Sequence, residues 1–125
     1  MLMTEPVYIL IGPNLDLPGI GAPNFDDHQS LAEIERCCAT CADDLGLECT
    51  FRQSDREVQL IDWIHEARER SSGVIINPGG MFMSVAILDA LKLLHRPVIE
   101  VHTTNIRQCE SHNQRSYVSL VATGA

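Results

Sequence analysis

Glu100 and His102 are the first residues in this 125-residue chain whose types and spacing suggest chemistry. Two positions apart on an extended strand, they point to the same side. An imidazole can deliver a proton near neutral pH, and a neighbouring carboxylate can fix its tautomer. Thr103 and Thr104 follow directly, and backbone N–H groups at such a strand end suit a carboxylate. Two further segments have a similar setting: Gly12-Pro13-Asn14-Leu15 and Asn77-Pro78-Gly79-Gly80. Asn14 and Asn77 supply neutral donors and acceptors. Each of the three segments closes an apolar run, namely Val7–Ile11, Val74–Ile76 and Pro97–Ile99. Ligands of open parallel sheets sit outside the carboxyl ends of the strands, so the three segments converge on one crevice. Two amides, a Glu–His pair and exposed backbone donors suit a small polyhydroxy carboxylic acid. Taken singly, each has a blander reading: a strand-end histidine is more often structural, and Asn before Pro is ordinary turn chemistry. His28, His65, His95 and His112 show no partner pattern and are expected on the surface or on a helix face. The expectation of a site rests on the combination.

The elements that position these residues alternate. Val7–Ile11 reads as a strand and Leu31–Leu45 as a helix, with apolar residues at Leu31, Ile34, Cys38, Cys41 and Leu45. Ser30 and Glu33 have capping-box spacing and Gly46 stops the helix. Leu47–Phe51 is a second strand. Ser54 and Glu57 suggest another capping box, opening a helix to about Arg70. Val74–Ile76, the helix Ser84–Leu94, and the strands Val98–His102 and Tyr117–Ala122 follow. Alternation of this kind implies parallel pairing with right-handed crossovers. The fold expected is α/β, a flavodoxin-like three-layer sandwich with a five-stranded parallel sheet, in a single domain over 1–125. The stretch Asp16 to Gln29, with Pro18, Gly19, Gly21 and Pro23, follows the first strand and is long enough to act as a lid.

Bulk properties narrow the function classes. The net charge is -8 at pH 7, which argues against nucleic acid or an anionic membrane as partner. No apolar run is long enough to span a bilayer. The segment Met1 to Pro6 lacks the basic start of a signal peptide, so a cytoplasmic address is expected. Five cysteines, an odd number, argue against a disulfide framework. Cys38 and Cys41 have C-x-x-C spacing but fall mid-helix on the predicted apolar face, where they are expected to be small buried hydrophobes. No zinc-ligand spacing is present, and no metal or cofactor is expected. Neither G-x-G-x-x-G nor a P-loop appears, which weakens a third reading as a phosphate or nucleotide binder.

The chain resembles type II dehydroquinases (3-dehydroquinate dehydratases) over nearly its whole length. The resemblance rests on Ile11-Gly12-Pro13-Asn14-Leu15, Phe51-Arg52-Gln53-Ser54, Ile61-Asp62-Trp63-Ile64-His65-Glu66-Ala67, Ile76-Asn77-Pro78-Gly79, Asp89-Ala90-Leu91, Glu100-Val101-His102 and Ser116-Tyr117. It implies a flavodoxin-like fold, a homododecamer built from trimers, and anti elimination of water from 3-dehydroquinate through an enolate. Residue by residue, it gives Asn14 a part in stabilising the enolate through a water, and makes Asn77 a substrate-binding amide. It makes His102 the general acid that protonates the leaving hydroxyl, with Glu100 orienting it. Thr103 and Thr104 take the place of the backbone donors to the substrate carboxylate, and Asp89 that of an acid reaching a neighbouring subunit's site.

The resemblance also marks departures. Where the family's lid carries an arginine and, five residues on, the tyrosine base, this chain has Gly21 and Asp26. Met83 stands for a histidine, with a one-residue deletion after it, and Leu88 for an arginine. Asn113 replaces an arginine that contacts a ring hydroxyl, with Arg115 nearby but out of register. The sequence stops near the fifth strand, where family members continue into a terminal helix, so that helix is expected to be absent. An aspartate, at its ordinary pKa of about 3.9 against about 10 for tyrosine, is the far weaker base, and Gly21 offers it no partner. One missing acid–base group costs about 10²–10⁴-fold in rate. The sequence therefore points first to a dehydroquinase-like protein with little or no dehydratase activity, keeping a partial pocket for a quinate- or shikimate-like acid. The alternative is a working lyase with His102 as acid and Asp26 or a water as base.

Overall fold

Runs of β-branched and aromatic residues form the strands of this protein, and the turns between them are set by glycine and serine. The computed structural model describes residues 5–13 and 30–102. In chain order the elements are β1 (Val7–Ile11), α1 (Leu31–Asp44), β2 (Cys49–Gln53), α2 (Glu57–Arg70), β3 (Gly73–Asn77), a short 3-10 turn (Gly79–Met81), α3 (Val85–Lys92) and β4 (Val98–Glu100). All pairings are parallel, in the order β2-β1-β3-β4. The described residues thus form a four-stranded sheet; the expected fifth strand, Tyr117–Ala122, lies outside them, as does the expected lid.

The chain steps from β1 to β2 in one direction, then across β1 to β3 and β4 in the other. Right-handed crossovers therefore put α1 on one face and α2 with α3 on the opposite one. The reversal falls between β1 and β3, the topological switch point where parallel sheets hold ligands. The core lies on the α2/α3 face: Tyr8 and Leu10 of β1, Val74 and Ile76 of β3, and Val98 of β4 meet Leu60, Ile64 and Ala67 of α2 and Ile87, Ala90 and Leu91 of α3. Burying each large aliphatic side chain here contributes about 1.5–3 kcal/mol. A polar cluster braces the same layer. The Tyr8 hydroxyl donates to Glu66, Arg52 donates to the same carboxylate oxygen at 2.8 Å, and the Arg52 guanidinium lies 5.3 Å from the Tyr8 ring centre and 5.6 Å from that of Trp63.

Several sequence expectations shift by a few residues, each for a local reason. The helix expected at Leu31–Leu45 ends at Asp44, because Gly46 adopts φ +70°. Its N–H donates to Asp43 O at 3.0 Å, and that of Leu47 to Ala42 O at 2.8 Å. This paired closure takes Leu47 out of the second strand, which starts at Cys49. Ser30 does cap α1, accepting from Glu33 N–H at 3.2 Å. The second capping box does not form. Ser54 instead accepts from Arg56 N–H at 3.0 Å, and Glu57 is the first residue of α2; a serine two residues ahead of the N-cap closes its own local turn more readily.

The reading of Cys38 and Cys41 as buried hydrophobes is overturned. No residue of α1 is buried, Cys41 is exposed, Cys38 is half-buried, and Leu45 is 67% exposed. The stripe is real, but the described residues cover it only in part: Leu31, Ile34 and Cys38 are half-buried while Cys41 and Leu45 are exposed. Among the described residues α1 packs mainly against β2, whose own side chains are all only half-buried. Burial nonetheless raises the thiol pKa of both Cys38 and Cys49, which disfavours thiolate chemistry there.

Candidate active site

The strand ends of β1, β3 and β4 are fixed to one another by backbone. Gly12 N–H donates to Asn77 O at 2.7 Å, joining the turn after β1 to the end of β3. A Cβ on Gly12 would run into the Pro78 carbonyl, and one on Gly79 into the Pro13 carbonyl. The two turns interlock at a distance only glycine permits. Gly79 also holds φ +57°, a conformation that carries no steric penalty for glycine. Asn77 is 6% exposed, and its side-chain Oδ1 accepts from Gly79 N–H at 3.0 Å. One side of this amide thus forms the turn, and its Nδ2 supplies the remaining donors.

Glu100 ends β4, paired in register with Ile76. The last ladder bond runs from Val101 N–H to Ile76 O at 2.9 Å, so the strand expected to reach His102 stops at Glu100 and leaves the histidine just beyond it. The two side chains meet as their spacing predicts: His102 Nε2 lies 2.8 Å from Glu100 Oε2, with the side chains 15% and 2% exposed. The distance is that of an ion pair, but the ring nitrogen makes no hydrogen bond of good angle. Burial strengthens the interaction of the carboxylate with the ring. Phe82, from the segment after the 3-10 turn, stands edge-to-face to the imidazole, with ring centres 6.3 Å apart and planes at 87°.

Asn77, Glu100 and His102 are therefore placed at the carboxyl end of the sheet. Asp89 is exposed on α3. Met83 is 40% exposed, while Leu88 is 8% exposed and part of the apolar interior. Asn14, Gly21, Asp26, Thr103, Thr104 and Asn113 lie outside the described residues. Sequence reasoning missed three supporting groups. Gln53 donates from Nε2 to Gly12 O at 3.3 Å and to Asp55 Oδ1 at 2.9 Å, bracing the first turn from β2. Ser84 caps α3, accepting from Ile87 N–H at 3.1 Å, and its hydroxyl donates to Glu57 Oε2 at 2.6 Å. Phe82 is the third. Ser84 before an apolar helix was a readable cap; Phe82 and Gln53 carried no signal without the fold.

A separate groove of about 270 Å³ lies between α2 and α3, walled by Ile64, His65, Arg68 and Leu93 among others. It contains none of the polar groups at the strand ends, so the chemistry locates the site elsewhere. Among the described residues no three His, Cys, Asp or Glu side chains are grouped to hold a metal ion, and no helix is long and apolar enough to cross a membrane.

Strand order, switch point and the Glu100–His102 pair together define a parallel α/β protein with polar side chains gathered at its strand ends. The profile described as "Dehydroquinase class II" matches residues 5–125, and the chain belongs to that family. It is 49% identical over 123 residues to the 3-dehydroquinate dehydratase of Phenylobacterium zucineum (strain HLK1), covering 98% of this chain and 85% of that one. It is 50% identical over 117 residues to 3-dehydroquinate dehydratase 2 of Agrobacterium fabrum (strain C58), covering 93% and 80%. The crystal structure of the type II dehydroquinase from Propionibacterium acnes superposes with a TM-score of 0.88 at 35% identity, covering 98% of this chain and 85% of that one.

Proposed function

We propose that this protein is a working lyase that dehydrates 3-dehydroquinate, or a closely related hydroxylated keto acid, to a conjugated enone. A base removes the proton α to the ketone, an enolate forms, and His102 protonates the hydroxyl that leaves as water. Glu100 holds the imidazole for that transfer. Asn77 binds the substrate, Asn14 steadies the enolate through a water, and the backbone at Thr103 and Thr104 receives the carboxylate. Asp26 or a water held by the lid segment serves as base. The observation that carries this reading is the Glu100–His102 contact of 2.8 Å beside the Asn77 turn. The relatives at 49% and 50% identity, both 3-dehydroquinate dehydratases, support an active enzyme over an inactive scaffold.

A second reading, a dehydroquinase-like protein that has lost the reaction and binds a quinate- or shikimate-like acid, draws support from Gly21, Asp26 and Met83. The net charge of -8 also opposes steering of an anionic substrate. One assay separates the two. Purified protein is given 3-dehydroquinate and the conjugated product is followed by absorbance. Turnover within about tenfold of an ordinary dehydroquinase upholds the lyase, since loss of a general base alone costs about 10²–10⁴-fold. Absence of turnover, with recovery in a Gly21→Arg, Asp26→Tyr, Met83→His triple variant, upholds the second reading. The trimer-based dodecamer belongs to the same proposal; the exposure of Asp89 on α3 leaves its carboxylate accessible to a neighbouring subunit. Sedimentation of the purified protein tests it.

A further inference from the structure

The geometry points to Phe82 as a positioning residue for His102, setting the plane of the imidazole that Glu100 holds at one nitrogen. The inference rests on the proposed role of His102 as general acid. The Glu100 carboxylate lies 2.8 Å from Nε2, yet that nitrogen makes no hydrogen bond of good angle. A contact at one nitrogen without a directed bond fixes the tilt of the ring less than a well-aligned hydrogen bond would. Among the described residues the perpendicular ring of Phe82, at 6.3 Å and 87°, adds a constraint on that plane. Aromatic pairs prefer this edge-to-face arrangement over a parallel sandwich.

Phe82 is itself well anchored. The 3-10 turn precedes it, with Met81 N–H donating to Pro78 O at 2.9 Å. Behind it Ser84 N–H donates to Met81 O at 2.9 Å, and the Ser84 hydroxyl donates to Glu57 at 2.6 Å. The segment is thus held by α2 and α3 at one end and by the Asn77-Pro78 turn at the other. A half-buried phenyl ring on so short and doubly tied a segment has little freedom to leave the imidazole.

The test reads His102 directly. In uniformly ¹⁵N-labelled protein, side-chain signals of His102 are assigned with His102→Gln and compared in Phe82→Leu and Phe82→Tyr. Loss of the ring current should move the His102 ring-proton signals in Phe82→Leu toward those of a histidine without an aromatic neighbour. The nitrogen shifts should then report a mixture of tautomers in place of one dominant form. Phe82→Tyr keeps an aromatic ring there and should keep both signatures. In turnover, Phe82→Leu should lower kcat by roughly two- to tenfold with a smaller change in KM, as expected for one ring pair, and Phe82→Tyr should restore it. Unchanged His102 nitrogen shifts in Phe82→Leu would overturn the proposal, as would equal kcat losses in the two variants. If the wild type turns over no 3-dehydroquinate, the lyase reading fails, and the spectroscopic comparison still decides the role of Phe82.

Discussion

Replacing Gly12 by alanine tests whether the two interlocked turns hold the site. The added Cβ would come within 2.6 Å of Pro78 C and 3.3 Å of Asn77 O, with the Pro78 carbonyl oxygen nearer still. All of these are backbone atoms, so no side-chain rotation relieves the clash. Relief requires the turn after β1 to move away from the turn after β3, which strains or breaks the 2.7 Å bond from Gly12 N–H to Asn77 O. Overpacking of this kind costs about 1–3 kcal/mol, and the hydrogen bond about 0.5–1.5 kcal/mol more. Gly12→Ala should therefore lose about 2–4 kcal/mol in urea denaturation at fixed protein concentration. Gly46→Ala is the control. Its Cβ would have nothing within 4 Å, and only φ +70° opposes it, a cost of about 1 kcal/mol. The site should respond separately: a shift near 1 Å at Asn77 costs about 10²-fold in turnover, whereas Gly46→Ala should leave kcat unchanged. The reasoning is refuted if the two variants lose the same stability, or if Gly12→Ala stays within about 0.5 kcal/mol of wild type, below the cost of one hydrogen bond.

Other outcomes follow from single contacts. The hydrogen bond from Tyr8, aided by Arg52, holds the Glu66 carboxyl below its ordinary pKa; the stability it contributes is complete above about pH 4.3 and lost as pH falls through the folded-state value. Glu66→Gln should cost about 0.5–1.5 kcal/mol at neutral pH and flatten the acid limb of a urea-midpoint series. Burial first, then the bond to Glu66, raises the Tyr8 phenol; its contribution is complete below about pH 10 and lost as pH rises through the folded value, a limb that Tyr8→Phe should remove. Ser84→Ala removes both the cap of α3 and the partner of Glu57, and thermal melts should show a loss of about 1–2 kcal/mol. His102→Gln should cut kcat by about 10²–10⁴-fold with the fold intact by circular dichroism.

What the sequence revealed and what it hid follow from one physical distinction, between information carried along the chain and information carried across it. Strand and helix identity is local. Val7–Ile11 and Val74–Ile76 are apolar and β-branched enough to be buried from either face, and both appear as strands. The Glu100–His102 contact was equally legible, because a separation of two on a strand fixes the side on which both side chains stand. Burial of α1 was not legible. Periodicity shows that a helix has an apolar stripe, not whether the rest of the fold covers it, and Leu45 at 67% exposure shows the difference. Ser54 failed as a cap for a related reason: its spacing to Glu57 allowed two local hydrogen bonds, and the nearer one formed.

The site divides along the same line. Asn77, Glu100 and His102 lie at or next to their strand ends in sequence, so they could be named in advance. The bracing could not: Gln53 reaches Gly12 across 41 positions, Ser84 reaches Glu57 across 27, and Phe82 meets His102 from another segment. None of these pairs has a spacing rule, because each depends on which strand ends the sheet order brings together. The consequence bears on the substitutions at Gly21, Asp26 and Met83. Taken together as losses of base, activator and binding group, they point to little or no dehydratase activity. Among the described residues Glu100 and Phe82 both lie against His102 and the two turns interlock beside Asn77; on the lyase reading proposed above, preorganisation of this kind favours the reaction. On that reading, a well-held acid offsets part of what a weaker base loses, so the substitutions at Asp26 and Met83 do not by themselves decide turnover, which the 3-dehydroquinate assay measures.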